Sequence, residues 1–274
     1  MMEHSSSCTR PANTDPSARV ALITGGARRI GRALALGFAA QGWDVAVHSG
    51  ASLALAGEVA AQIRAMGRRA VALHADLARE DEVAQLVPAC VAQLGRVTCV
   101  VNNASRFEED TAHDLGYERL LRLTAINVGA PVALARALYD ATPESARDDE
   151  TLRGVVINLL DQKLYNMNPD YLSYTLTKAA LQNATVALAQ ALAPKVRVVG
   201  LAPGLTLPSA AQTAEGFARA HRATPLGRAS RPEDIVNAAL YLAQAPGVTG
   251  ATLVVDGGQH LAPLPRDVMF LMGN

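Results

Sequence analysis

Short runs of consecutive apolar residues alternate along this chain with longer stretches in which apolar positions recur every three or four residues. Val20–Ile23, Trp43–His48, Arg69–His74, Val97–Val101, Gly154–Leu160, Lys195–Gly200 and Ala251–Val255 carry the first pattern, which suits strands buried on both faces of a parallel sheet. Ile30–Ala40, Ser52–Met66, Glu80–Leu94, Tyr117–Tyr139 and the stretch from Asp170 to about Ala193 carry the second and predict helices. Gly42, Gly67 and Gly95 close three of them. Arg231-Pro232-Glu233-Asp234 opens another, with proline early and acids at the positive end of the dipole. Thr142–Thr151 is acidic and polar and predicts a solvent loop, and Leu205–Ala211 begins a loop-and-helix segment running to about Arg222. Strand and helix in regular alternation imply an α/β fold, a central parallel sheet of about seven strands with helices on both faces.

No Pro/Gly/Ser-rich linker divides the middle, so residues 19–260 read as one domain between a polar N-terminal tail, 1–18, and a C-terminal tail, 261–274. Leu261, Leu264, Phe270 and Leu271 of that second tail predict packing against a neighbouring copy. Half of the 274 residues are apolar but only 4% are aromatic, so the core is expected to be aliphatic and alanine-rich. Twenty-five basic and 25 acidic residues balance, without a long basic run, and nucleic acid is not an expected partner. No apolar run reaches the ~18–20 residues of a membrane span, and no signal-peptide pattern opens the chain. A soluble cytoplasmic protein is expected. Cys8, Cys90 and Cys99 fit neither a disulfide framework nor a zinc pattern, and no metal is expected.

The chemistry begins where the first strand ends, at Thr24-Gly25-Gly26-Ala27-Arg28-Arg29-Ile30-Gly31. Glycines relieve the constraint of a Cβ where a turn is tight and a ligand approaches backbone. A helix opening there points unpaired N–H groups and its positive dipole end at the turn, a ready anion site. A plain structural turn would use glycines in the same way. Further on, Asn102-Asn103-Ala104 lies at the C-terminal end of the fourth strand, on the face where open α/β sheets bind ligands. Tyr174 and Lys178, four apart on a predicted helix, share one face.

T-G-x3-R-I-G, N-N-A, a helical Asn127, Tyr-x3-Lys and the late Val254-Val255-Asp256-Gly257-Gly258 occur in the order of the short-chain dehydrogenase/reductase family, which the chain resembles over roughly residues 19–260. The resemblance implies a Rossmann-type domain, a nicotinamide cofactor and a homotetramer. It assigns cofactor contacts to Gly25, Arg28, Ile30, Gly31, Asn103, Ala104, Tyr174, Lys178, Pro203 and Gly204. It places Asp76 and Leu77 by the adenine ring, although an Asp at a strand-to-helix junction also caps helices. At the end of the second strand His48, Ser49 and Gly50 stand where an Asp or Glu would select NAD, which with Arg28 favours NADPH.

Two departures narrow the substrate. Ser105 replaces the glycine usual after N-N-A and Phe107 follows it, and Asp161 occupies the place of the usual serine, thirteen residues ahead of Tyr174. Both resemble the pteridine reductase and dihydromonapterin reductase branch. That implies a pterin stacked on Phe107, held by Arg28 and Ser105, with Leu205 and Leu207 shaping the pocket. Reducing a C=N bond needs a proton donor at its nitrogen, and Tyr174 fills that role with Asp161, Lys178 and Asn127 in support. The lysine ammonium is expected to lower the tyrosine pKa. A carbonyl reductase for a 3-oxoacyl thioester or a sugar ketone, and a non-catalytic NADP-binding regulator, remain as alternatives.

Overall fold

The computed structural model describes residues 18–208 and 213–271, without the side chains of Met269 and Leu271. The expected N-terminal tail, apart from Ala18, and the end of the Leu205–Ala211 loop therefore lie outside the described residues. Seven strands, β1 (Val20–Ile23), β2 (Asp44–Ser49), β3 (Ala70–His74), β4 (Cys99–Asn102), β5 (Gly154–Leu159), β6 (Val196–Pro203) and β7 (Thr252–Val255), form one parallel sheet in the order β3-β2-β1-β4-β5-β6-β7. Strand order reverses between β1 and β4, and ligands bind at such a switch point in open α/β sheets.

Alternate strand residues feed two cores. Ala21, Ile23, Val45 and Val47 face α1 (Arg29–Ala40), α2 (Leu53–Ala65) and α8 (Pro232–Gln244). Val20, Leu22, Ala46 and Val100 face α3 (Glu80–Leu94), α5 (Ala130–Ala141) and α6 (Leu172–Leu192). Burial on both faces is why the strands read as unbroken apolar runs. Local chemistry fixes the helix ends. Ser52 Oγ accepts the Leu55 N–H at 3.3 Å at the start of α2, and Glu80, Asp81 and Glu82 occupy the first turn of α3.

The predicted helix 117–139 is interrupted. It runs as α4 (Tyr117–Thr124), then a π-helical turn over Ala125–Gly129, then α5. The combined Tyr117–Ala141 stretch is long and apolar enough to cross a membrane by length and composition, with 33% of its most apolar window buried. Here it packs against α3 and α6 and carries Arg119, Arg122 and Arg136. Thr142–Thr151, expected as plain loop, contains 3₁₀ turns at Glu144–Arg147 and Glu150–Leu152.

The C-terminal tail, whose composition predicts packing against a neighbouring copy, makes contacts with its own chain. After β7 it folds onto the 162–171 segment of its own chain: Asn166 Nδ2 donates to Ala262 O at 3.0 Å, and Arg266 Nε reaches both oxygens of Asp170, at 2.8 and 2.9 Å. Asp170 also accepts the Asp267 N–H at 2.7 Å. Its carboxyl is held below the usual carboxylate range by Arg266 and this N–H, against the opposing effect of its own burial.

Candidate active site

The glycine turn leaves β1 and enters α1 so closely that side chains have no room. A Cβ on Gly31 would come within 2.1 Å of Gly25 O, and Gly25 itself has φ +62°. Thr24 ties this turn to the end of β4: its hydroxyl accepts the N–H groups of Asn103 and Ala104, both at 3.0 Å. Asn103 Nδ2 donates to Thr24 O at 2.9 Å. A cleft of about 630 Å³ opens above, and its walls include Gly25, Arg28, Ile30, Gly31, Asn103, Ala104, Ser105, Phe107, Asp161, Tyr174, Gly204, Leu205 and Leu207, all named from the sequence. Backbone N–H groups at a helix start, beside two glycines that a Cβ would close, fit a dinucleotide pyrophosphate. Arg28 is exposed there, and no hydrogen bond or ion pair engages its side chain among the described residues.

Other expected cofactor contacts have tasks within the protein. His48 is buried; its Nδ1 accepts the Gly25 N–H at 3.2 Å and its Nε2 donates to Ala75 O at 3.0 Å. That pattern requires the neutral Nε2–H tautomer, and burial lowers the His48 pKa accordingly. The ring is spent on backbone and holds the glycine turn against the end of β3. Ser49 Oγ accepts from Ser52 N at 3.1 Å, in the turn before α2. Asp76 Oδ1 accepts the Ala78 N–H at 2.9 Å, closing a turn ahead of α3 and not capping it, since the N-cap is Arg79, and Leu77 lines a separate groove between α3 and α5. Pro203 ends β6 and is buried.

α6 carries Tyr174 and Lys178 and is anchored at its start. Tyr171 precedes it with φ +54°, and buried Asp110 accepts the Ser173 N–H at 3.0 Å and the Ser173 hydroxyl. One residue on, Tyr174 Oη donates to Asp161 Oδ2 at 2.7 Å, while Asp161 Oδ1 accepts the Lys163 N–H at 2.8 Å. Lys178 sits behind the tyrosine, outside the cleft lining. Its Nζ donates to Leu159 O at 2.6 Å and lies 5.6 Å from the Tyr174 ring centre.

The electrostatics reverse one expectation. Burial, then the Asp161 charge and hydrogen bond, raise the Tyr174 pKa well above 10 rather than lowering it. Burial also lifts the Asp161 carboxyl above the usual range, against the Lys163 N–H, the Tyr174 hydroxyl and the Lys178 charge. Lys178 is brought down to about 8 by burial, which the Asp161 charge opposes. The pair therefore holds a proton firmly, and Asp161 is the member whose pKa has moved towards neutrality.

Asn127 lies in the π-helical turn. Its Oδ1 accepts the Arg106 N–H at 2.7 Å, and Nδ2 donates to Arg106 O and Thr177 Oγ1, each at 3.0 Å. Asn127 thereby fixes the loop bearing Ser105 and Phe107, and Thr177 Oγ1 donates onward to Tyr174 O at 2.7 Å. Phe107 is 46% exposed; one face stacks on Tyr171, with ring centres 4.1 Å apart, and its edge meets Tyr174 at 4.7 Å.

Three residues make contacts that the sequence does not indicate; of Arg29 it indicates only added charge at the glycine turn. Arg29 donates to Pro208 O at 2.9 Å, tying the glycine turn to the loop after β6. Gln259 Oε1 accepts the Leu205 N–H at 2.9 Å. Asp267, delivered by the C-terminal segment, lines the cleft with Val268, faces Lys163 Nζ at 3.4 Å and adds negative charge near Asp161 and Tyr174. Only the fold of the tail onto the 162–171 segment brings it there.

Residues 25–260 match a family profile described as enoyl-(acyl carrier protein) reductase. An uncharacterized oxidoreductase of Mycobacterium tuberculosis is 40% identical over 246 residues, covering 88% of this chain and 91% of the relative. A 3-oxoacyl-[acyl-carrier-protein] reductase, FabG, of Staphylococcus aureus is 30% identical, covering 88% and 98%. Among solved structures, FolM alternative dihydrofolate reductase 1 from Brucella canis, complexed with NADP, superposes with a TM-score of 0.82 at 39% identity, covering 90% of this chain and 96% of that one.

Proposed function

This chain belongs to the short-chain dehydrogenase/reductase family, and from that membership we propose that it is an NADPH-dependent reductase of a pterin-like C=N bond, taking a dihydropteridine to the tetrahydro level. The observation that carries the reading is the Tyr174–Asp161 hydrogen bond, set beside the partly open ring of Phe107 in the cleft above the glycine turn.

The fit of Gly25 and Gly31 to a pyrophosphate, with Arg28 beside the turn, supports NADPH as cofactor, and solved relatives from Brucella canis and Brucella suis hold NADP. When bound, the cofactor supplies a hydride equivalent to the carbon of the C=N bond. The chain supplies the matching proton to nitrogen. In the state with Asp161 protonated the 2.7 Å bond runs from its carboxyl O–H to the phenol oxygen, the Tyr174 hydroxyl gives its proton to the substrate nitrogen and takes one from Asp161, and the carboxylate left behind is reprotonated from solvent. General acid groups work best with a pKa near the operating pH, and the upward shift of Asp161 moves it in that direction. Lys178 sets the charge behind the tyrosine, Asn127 holds the loop of Ser105 and Phe107, and Leu205 and Leu207 close the far wall.

The FabG relative and the family profile favour a second reading, a carbonyl reductase acting on a 3-oxoacyl group. NADPH oxidation with dihydrobiopterin, dihydrofolate and a β-keto ester separates them. Turnover of the dihydropterin alone or with dihydrofolate supports the first reading, ketone turnover alone the second, and cofactor binding without turnover a regulator. We further infer a soluble cytoplasmic homotetramer. Tyr117, Leu121, Leu176 and Val186 are exposed on α4 and α6, where a second copy could cover them, and the described cysteines Cys90 and Cys99 are free and buried.

A further inference from the structure

Because all seven strands run the same way, residues that precede them gather at the end of the sheet opposite the active site. Four arginines do so around a second cleft of about 730 Å³: Arg19 before β1, Arg96 before β4, Arg153 before β5 and Arg197 near the start of β6. Each is held in place by backbone carbonyls. Arg197 donates to Val248 O, Leu242 O and Ala243 O at 2.8, 3.1 and 3.0 Å, and Arg96 donates to Leu152 O at 2.8 Å. Arg153 Nε donates to Ala146 O at 3.3 Å. Arg19 donates to Gln41 O at 2.7 Å, with its guanidinium 5.1 Å from the centre of the Trp43 ring.

These bonds orient the guanidinium groups without neutralising them. Arg153 has Glu150 at 3.8 Å, but among the described residues no carboxylate comes within ion-pair distance of Arg19, Arg96 or Arg197. Among the described residues Glu150 is the one acid in the lining, and Asp149 acts on Arg96 from farther away. Burial lowers the pKa of both Arg96 and Arg197, the sign of positive charge held partly away from water. Arginine does not give up its proton in a protein, and the carbonyls that accept from Arg96 and Arg197 meet part of the cost of that burial while leaving the positive charge in place. Trp43 forms part of the same wall and is 3% exposed, and its indole Nε1 has no hydrogen-bond partner.

We propose that this cleft is a second binding site, for a small organic anion bearing two or more carboxylate or phosphate groups. Guanidinium forks match the planar oxygen pairs of such groups. Fixing the forks on backbone carbonyls beforehand removes much of the ordering cost of binding. The apolar part of the ligand would lie against Leu152, Val155 and Pro246, which complete the lining.

The test uses the full chain saturated with NADPH, so that the phosphate sites of the cofactor cleft are filled, and titrates it calorimetrically with citrate and with pyrophosphate. One saturable event per chain is expected with at least one of the two anions, at a Kd of roughly 1 mM or tighter. Loss of a charge-assisted contact in Arg96→Gln or Arg19→Gln should weaken it about tenfold or more, while Arg136→Gln, on the exposed face of α5 and outside both clefts, leaves it unchanged. Arg19 is exposed and Arg96→Gln keeps a donor for Leu152 O, so each variant is a check on the other should one fail to fold. The proposal is overturned if neither anion binds saturably, if both Arg96→Gln and Arg19→Gln bind as tightly as the wild type, or if Arg136→Gln weakens binding as much as they do.

Discussion

Asp161→Asn tests the proton route most directly. The asparagine has nearly the same shape, its Oδ1 can keep the Lys163 N–H, and its Nδ2 then faces the Tyr174 oxygen with a donor where the carboxylate had an acceptor. Two things vanish, the group that holds the proton and the charge that holds the phenol protonated. Tyr174 loses the second and third causes of its raised pKa and keeps burial and the Asp267 charge, so it stays a weak acid with nothing behind it to restore its proton. Lys178 loses the one influence that raises its pKa and falls further below about 8. Positioned general acids contribute about 10²–10⁴ in rate, so kcat/KM for dihydropterin reduction should drop by that factor, or roughly 3–5 kcal/mol of transition-state stabilisation. Stability should move the other way. A carboxyl whose pKa is raised on folding binds more protons in the native state, so stability declines as pH rises from the unfolded value through the folded one. The asparagine variant lacks that decline, and at neutral pH it should melt no lower than the wild type. Steady-state NADPH oxidation across the pH range and thermal melts at the same pH values give both readings. A kcat/KM within about threefold of wild type would falsify the assignment of Asp161 as the proton source.

Three further outcomes follow from the geometry. Gly31→Ala places a methyl against the Gly25 carbonyl, where neither backbone can yield, and overpacking of about 1–3 kcal/mol should weaken NADPH binding roughly 5- to 150-fold in a fluorescence titration while the fold persists. The Lys178 ammonium loses its proton above about 8, so activity should fall on the alkaline side of that value; in Lys178→Arg, slower overall, that limb should disappear from the pH profile, and its survival would assign it to another group. Asp170→Ala removes the acceptor that holds Arg266 and the Asp267 N–H, and proteolysis or hydrogen exchange should show the 262–271 segment opening, with a higher KM for substrate and an unchanged Kd for NADPH.

What the sequence disclosed follows the range over which its signals act. Strands such as Val20–Ile23 were readable because burial on both faces writes itself into four consecutive residues. Gly31, Asn103, Asp161 and Tyr174 were readable because each stands in a short motif, and the fold brings all four to one cleft. His48 and Ser49 sit at the position that selects the cofactor in related folds, but their side chains are engaged by Gly25, Ala75 and Ser52, contacts fixed only once β2 lies between its neighbours. The direction of the Tyr174 shift depends on burial and on a hydroxyl-to-carboxylate distance, and spacing along a helix encodes neither. Asp267 lies more than ninety residues from its holder, Asp170, and no local pattern announces such a partnership.

The π-helical turn at Ala125–Gly129 also sets how α4 is rotated against α5. Such a turn accommodates one residue more than regular winding needs, and each α-helical residue advances the helix by about 100°. Removing one residue there would restore ordinary winding and at the same time rotate α4 against α5 by about that angle, turning Leu123 out of its buried position and Asn127 away from Arg106. Hydrogen-bond geometry alone would favour the shorter helix. The surplus residue brings the Asn127 amide within reach of Arg106 and Thr177, so a deletion scan through these five positions would separate what the helix needs in order to wind from what the enzyme needs in order to work.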